Sequence, residues 1–284
     1  MSAATAVALS ARSYLFVPGN RPDRFEKARA SGADVVILDL EDAVAPADKP
    51  AARLSVENWL RAAAGRVAIA LRINAANTEW FAGDLALCRQ PGVAAVLLPK
   101  AERLEDLART AAGLAAGAAL IPIIESAIGM RDAEHLAAAG AVQRLAFGTL
   151  DFAVDLGLSI DDEGAQDELA SFRSHLVLVS RVAQLQAPID GVTTAFSDET
   201  RLDADVRRAR RFGFGAKLCI HPRQIAAVHL GFAPTPSQRE WAERVLAAIA
   251  GSAGAAVQVD GVMVDRPVVL QAEAIIAQAK RKTP

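Results

Sequence analysis

Short apolar runs recur along the chain, and stretches with helical periodicity separate them. The runs are residues 12–19 (RSYLFVPG), 34–41 (DVVILDLE), 66–74 (RVAIALRIN), 94–100 (AAVLLPK), 119–126 (ALIPIIES), 144–151 (RLAFGTLD), 188–195 (PIDGVTTA) and 215–222 (GAKLCIHP). Segments such as RFEKARASG, DKPAARLSVENWLRAAAG and ERLEDLARTAAGLAAG carry the helical pattern between them. Several runs are apolar throughout rather than alternating, as strands covered on both faces are. Eight strands alternating with helices predict a parallel sheet, and eight is the number that closes into a (β/α)₈ TIM barrel. The expected fold class is therefore α/β.

Local signals refine the phasing. Asn20 before Arg21-Pro22 reads as a helix N-cap with proline in the first turn. Gly32 reads as a helix stop before the second strand. The longest connection, 152–187, holds Asp161-Asp162-Glu163, read as a solvated insertion, and then a helical run. After the eighth strand come the helix HPRQIAAVHLGF, the breaker APTPS and a further helix. A hairpin turned at Asp260-Gly261 and a terminal helix complete the chain. The predicted organisation is a loose, Ala-rich start at 1–11, a barrel over 12–235 and a hairpin-helix extension over 236–284. That extension is expected to pack on the barrel or on a neighbouring subunit.

Composition narrows the function classes. The chain has 284 residues, 52% hydrophobic and 23% charged, which excludes an intrinsically disordered chain. Acidic and basic residues nearly cancel, 33 against 31, so no global field recruits nucleic acid or an acidic membrane. Aromatics are only 5%, too few for a surface of base-stacking platforms. Two cysteines, Cys88 and Cys219, exclude a disulfide-built scaffold and suit a reducing cytoplasm. No apolar stretch approaches the roughly 18 residues a membrane span needs. The first eleven residues lack the positive charge of a secretory n-region.

Chemistry in such barrels sits at the C-terminal ends of the strands, and polar residues collect there. Strand two ends in Asp39, Glu41 and Asp42, strand three in Arg72 and Asn74, and strand four in Lys100. Strand five ends in Glu125, strand six in Asp151 and strand eight in His221. Glu125 and Asp151 end consecutive strands, about 4.8 Å apart in a sheet. Two carboxylates that close repel unless a cation lies between them. Hard oxygen ligands without neighbouring Cys or His suit Mg²⁺ or Mn²⁺. The alternative is a salt bridge to Lys100 or Arg72. Arg72 is placed to stabilise a developing enolate or carboxylate oxygen, or to pair with Asp39, Glu41 and Asp42. At least one of those three acids is expected to be structural.

Other candidates are weaker. His221 precedes Pro222 at a helix start and reads as a cap or scaffold residue; His135, His175 and His229 are scattered over predicted helices without metal-ligand spacing. Both cysteines read as buried packing. There is no GxGxxG motif and no P-loop.

The stretches SYLFVPGNRPDRFEKA, ADVVILDLEDAVAPADKPAAR, LRIN, LLPKAE, IPIIESAIGM, LAFGTLDFAVDLG, APIDGVTTAFSDE, GFGAKLCIHPRQI and DGVMVDRPVV occur in this order. With them the chain resembles the citrate lyase β-subunit family of the HpcH/HpaI aldolases from about Arg12 to its end. The resemblance implies a Mg²⁺-dependent lyase acting on a 3-hydroxyacyl thioester of the citryl, malyl or citramalyl type. The thioester is carried on coenzyme A or an acyl carrier protein. The products are a 2-oxo acid and an acetyl-type thioester.

By the same resemblance, Glu125 and Asp151 match the metal ligands and Arg72 the catalytic arginine. Asp39, Glu41 and Asp42 match pocket-motif residues, Glu41 being counted as catalytic. Arg24 and Lys27 fall where the family meets coenzyme A, and substrate contacts extend to Asp39, Asp42, Arg72 and Glu125. Asp265, in the tail motif MVDRP, matches an acid or base that reaches a neighbouring subunit's active site. That implies a homo-oligomer, with a trimer expected. The pyruvate-type aldolases of the HpaI branch use a histidine near the barrel's start, whereas this chain has none before His135. A class II 2-oxo-acid aldolase is therefore the alternative. A subunit active only with citrate lyase partner subunits is another, and an added thioesterase step a further variant.

Overall fold

The computed structural model describes residues 3–62, 68–159, 167–251 and 257–280. Eight parallel strands close in chain order into a barrel, the first pairing with the last. They are β1 (Ser13–Pro18), β2 (Val35–Asp39), β3 (Ala68–Arg72), β4 (Val93–Leu98), β5 (Ala119–Ile124), β6 (Ala146–Phe147), β7 (Ile189–Asp190) and β8 (Ala216–Cys219). Seven lie within their predicted runs, and β4 starts one residue before its run. The strands β2, β4 and β5 are buried at every position, the expected result of a barrel interior on one face and helices on the other. Inward positions such as Val35, Ile37, Ala70, Leu97, Ile121 and Ala146 fill the barrel axis.

The predicted loose start is corrected. Residues Ala3–Ser10 form a helix, α1, and Ala8, Leu9 and Ala11 join the barrel's inner core. Buried Arg144 ties this segment down: its Nη1 donates to the carbonyls of Leu9 (3.2 Å) and Ala11 (2.9 Å). Thr5 Oγ1 donates to the Gly117 carbonyl at 2.8 Å. This mostly small and apolar octapeptide shows no amphipathic period, so only tertiary burial reveals it.

The outer layer consists of α2 (Phe25–Arg29), α3 (Lys49–Ala62), α4 (Phe81–Leu87), α5 (Leu104–Ala112), α6 (Ala127–Arg131), α7 (Ala133–Ala137), α8 (Thr149–Asp155), α9 (Ala170–Val182) and α10 (Glu199–Phe212). Gly32, at φ +80°, turns the chain from α2 towards β2. Asn20 does not cap a helix. A 3₁₀ turn begins at Pro22 behind an uncapped Arg21, and the Asn20 amide donates to Asp48 instead. The Asp161–Glu163 stretch lies outside the described residues.

The chain divides into two compact units, 1–228 and 229–284, the division falling within α11 (Gln224–Phe232). In the second unit α12 (Pro236–Gly251) and α13 (Arg266–Ala279) pack around Ala242, Val245, Ala272 and Ile275. The hairpin β9 (Val257–Val259) and β10 (Val262–Val264) turns at Asp260 and Gly261, both at positive φ. This is the geometry that an Asp-Gly pair favours.

Candidate active site

Strand register assembles the first half of the site. Pro18, Asp39, Arg72 and Leu97 are successive partners across β1 to β4, so Asp39 and Arg72 stand side by side at the rim. Arg72 meets the fully buried Asp39 with two hydrogen bonds, Nε to Oδ1 at 2.7 Å and Nη2 to Oδ2 at 2.6 Å. Asp39 also accepts the Glu41 and Ala43 amides, folding the acidic loop back over the guanidinium. Arg72 Nη1 lies 3.0 Å from Glu41 Oε2 and 3.5 Å from Asp42 Oδ2, and its Cζ lies 4.6 Å from the Phe16 ring centre. Burial opposes the charge of Arg72, but Asp39, Glu41 and Asp42 outweigh it and hold the guanidinium above its usual pKa. The expected ion pairing of Arg72 with this acidic group is therefore present. It fixes the guanidinium while leaving it on the cavity wall.

The second half comes from β5 and β6. Ile124 pairs with Phe147, which sets Glu125 beside Gly148. Glu125 is buried and accepts the Lys100 amide on Oε1 at 2.7 Å. Asp151 does not end a strand as predicted. Strand β6 stops at Phe147, and Asp151 sits in the first turn of α8. The short strand still brings it to the same mouth: Glu125, Asp151 and Arg72 all line one cavity of about 340 Å³, with Asp39 and Asp42. Burial, then the charge of Glu41 and further that of Asp151, push the Glu125 carboxyl up to about 8.

Glu41 is not among the residues lining the cavity. It is buried behind the wall, with Oε1 3.1 Å from Lys100 Nζ and Oε2 in ion-pair contact with Arg72. Burial, with a contribution from Asp42, raises its pKa against the pull of Arg72 and Lys100. From there it orients Arg72 and Lys100. Lys100 belongs to the site although the predicted set omits it. It holds a left-handed backbone, φ 48°, that aims its N–H at Glu125, while its ammonium reaches Glu41 and lies 4.0 Å from Asp151. Strand-end position flags Lys100, but the left-handed turn has no sequence signal.

Gly148 makes room for this carboxylate. A Cβ there would fall 2.5 Å from Glu125 Cβ and closer still to Oε2. Gly148→Ala is expected to displace Glu125 and lower kcat by about 10²-fold, the scale of a 1 Å misplacement. Steady-state kinetics on the variant, with its melting temperature, check this.

A second cavity of about 650 Å³ shares Phe16, Ala43 and Ile220 with the first. The exposed side chains of Arg24 and Lys27 give it a basic wall, beside the Arg21–Asp23 ion pair. The two predicted coenzyme A contacts are thus brought together beside the mouth. His221 stacks on Phe196 at 4.8 Å and its Nδ1 accepts the Arg223 amide, a scaffold role. Cys88 and Cys219 are buried, and burial raises both thiols to about 12. Asp265 lies in the second unit, exposed, where its side chain caps α13 by accepting the Val268 amide.

The donor set at the mouth suits a hard divalent cation. Five carboxylates, Asp39, Glu41, Asp42, Glu125 and Asp151, face two cations, Arg72 and Lys100. Burial first, and then the neighbouring charges of Glu41 and Asp151, raise Glu125, and a cation beside it would favour its ionised form. Among the described residues no group of three or more His, Cys, Asp or Glu is placed to hold a metal ion. Two carboxylates on an open cavity match the way Mg²⁺ binds, with positions left for water and substrate.

Comparison with known proteins places the chain. Residues 12–222 match the model of the HpcH/HpaI aldolase/citrate lyase family, and the chain belongs to that family. It is 36% identical over 272 residues to a citrate lyase subunit beta-like protein of Mycobacterium tuberculosis, covering 95% of this chain and 96% of that one. It is 35% identical over 275 residues to a (3S)-malyl-CoA thioesterase of Cereibacter sphaeroides, covering 95% and 94%. Among solved structures, the M. tuberculosis protein CitE in complex with magnesium, acetoacetate and coenzyme A superimposes with a TM-score of 0.82. The two are 34% identical, over 95% of this chain and 98% of CitE.

Proposed function

We propose that this protein is a Mg²⁺-dependent carbon–carbon lyase that cleaves a 3-hydroxyacyl thioester of coenzyme A into a 2-oxo acid and an acetyl-type thioester. The observation that carries the reading is the pairing of Arg72 with Glu125 and Asp151 across one cavity that continues into a basic groove. The family match and the magnesium and coenzyme A bound by CitE support it.

Glu125 and Asp151 hold the cation, which when bound supplies Lewis acidity at the oxygen that becomes the keto group. Mn²⁺ has the same ligand preference. Arg72 donates to the thioester oxygen as the C–C bond breaks and enolate charge gathers there. Asp39 keeps the guanidinium planar to the wall, and Glu41 holds it from behind. Arg24 and Lys27 take the phosphates of coenzyme A. Asp265 of a second copy delivers the proton to the enolate carbon. The working form is thus a homo-oligomer, a trimer in this reading, acting in the cytoplasm. No helix among the described residues is long and apolar enough to cross a membrane.

One other reading has a specific observation behind it: the thioesterase relative points to hydrolysis of the thioester. Malyl-CoA, citramalyl-CoA and citryl-CoA incubated with the purified protein and Mg²⁺ separate the two. The lyase releases 2-oxo acid and acetyl-CoA in equal amounts, and EDTA stops it. Free coenzyme A thiol with intact 3-hydroxy acid would establish hydrolysis. Turnover of none of the three by folded, Mg²⁺-binding protein would overturn both.

A further inference from the structure

Lys49 opens α3, the position of a surface residue by sequence, yet it is only 6% exposed. Its ammonium donates to the carbonyls of Leu40 (2.9 Å) and Glu41 (3.0 Å) and to Asn74 Oδ1 (2.6 Å). Three acceptors match its three donors, and the Trp80 ring lies over it at 4.9 Å. Asn74 carries the network on. Its side-chain amide donates to the Leu40 carbonyl (2.9 Å) and to Asp84 (2.6 Å), and its backbone N–H reaches Asp84 at 2.9 Å. Arg53 closes the chain on Asp84 at 3.0 Å.

The placement of this network matters. Leu40–Glu41 carry the acid that orients Arg72 and Lys100, and Asn74 lies two residues beyond the strand end at Arg72. The Leu40 N–H also donates to the Arg72 carbonyl at 2.9 Å. Lys49, Asn74 and Asp84 are all buried, and none lines the cavity. A buried ammonium is costly unless every donor is met. Here every donor is directed at the segment bearing Glu41 or the strand end bearing Arg72.

The geometry points to Lys49 as a positioning residue for the proposed lyase reaction: from behind the wall it fixes the Glu41 backbone relative to the end of β3. That contact decides where the Glu41 carboxylate stands, and through it Arg72 Nη1 and Lys100 Nζ. Lys49 touches neither substrate nor cation. The inference rests on the reaction proposed above.

The test uses Lys49→Met and Lys49→Gln in the full chain. Lys49→Met removes all three donors; Lys49→Gln keeps two on a side chain one bond shorter. Lys49→Met is expected to lose about 10–100-fold in kcat, the effect of an ångström-scale displacement. Its KM, and its calorimetric affinity for coenzyme A alone, stay within about threefold of wild type, because Arg24 and Lys27 lie on other elements. Lys49→Gln recovers most of kcat. A cooperatively melting Lys49→Met with wild-type kcat overturns the assignment, and so does a parallel loss of kcat and coenzyme A affinity, which marks general loosening. Should Lys49→Met not fold, Asn74→Ala takes its place: it removes the acceptor through which Lys49 ties the Glu41 segment to the chain beyond β3, and wild-type kcat in it overturns the assignment as well. Calorimetric binding of oxaloacetate with Mg²⁺ reads the same displacement without turnover, and an affinity unchanged in the variant counts against it. A wild type that cleaves no thioester overturns the reaction class instead and leaves this second readout standing.

Discussion

Arg72→Lys is expected to lower kcat by about 10²–10³-fold, the loss seen when one preorganised donor to a developing oxyanion is removed. The substitution keeps the charge, so its effect isolates geometry. Arg72 uses Nε and Nη2 on Asp39 and turns Nη1 towards Glu41 and Asp42. A lysine has one nitrogen and cannot bridge both Asp39 oxygens while facing the cavity. Asp39 is fully buried, and the variant leaves one of its oxygens with a single loop amide as donor. KM for the thioester changes little, because the coenzyme end binds in the adjoining groove. Steady-state kinetics over a substrate series check this, and a kcat within about threefold of wild type would remove Arg72 from the reaction. Asp39→Asn gives the companion result. It keeps the shape but withdraws the charge that holds the guanidinium in place, so kcat falls by a smaller factor.

The barrel was legible because its strands are apolar on both faces, a pattern a surface helix cannot carry. Runs such as VVILD and ALIPII end at polar residues because the rim is where the interior meets solvent. That is why Asp39, Arg72 and Glu125 could be picked out from strand ends. What was hidden depends on contacts between distant segments. The start of the chain, 1–11, carries no period, and burial against the barrel core and the Arg144 donors hold its described part, Ala3–Ser10, as a helix. Asp151 was placed one element too early, because β6 lasts two residues before Gly148 turns the chain into α8. Glu41 was read as an acid at the strand end, and the amides accepted by Asp39 fold its loop inward. Lys49 lies in a stretch read only as helical, and it is a buried cation. In each case local pattern names the element, and a long-range hydrogen bond decides which way the side chain faces.

That inward folding concentrates negative charge, and the clearest consequence is at Glu125. Its carboxyl sits at about 8 in the folded chain against an ordinary 4.5, through burial and then the charges of Glu41 and Asp151. Between those two values the folded protein keeps a proton that the unfolded chain has released. Raising the pH across that window therefore costs the metal-free protein stability, and the loss is complete above about 8. A cation held by Glu125 and Asp151 reverses the sign, since it favours the ionised form. Mg²⁺ is thus expected to raise the melting temperature more at pH 8 than at pH 6. Glu125→Gln preserves an oxygen to accept the Lys100 amide but has no proton to lose. The metal-free variant should melt higher than wild type at pH 8, by about 2–4 °C for each kcal/mol recovered. Its melting temperature should vary less between pH 5 and 8 and should not respond to Mg²⁺. Turnover should fall by on the order of 10³ or more, since both the ligand and its charge are gone. Thermal melts at pH 6 and 8, in EDTA and in Mg²⁺, read all of this without substrate. A Mg²⁺-dependent rise that survives in Glu125→Gln would move the cation site away from β5, and with it the keto oxygen that the cation is meant to polarise.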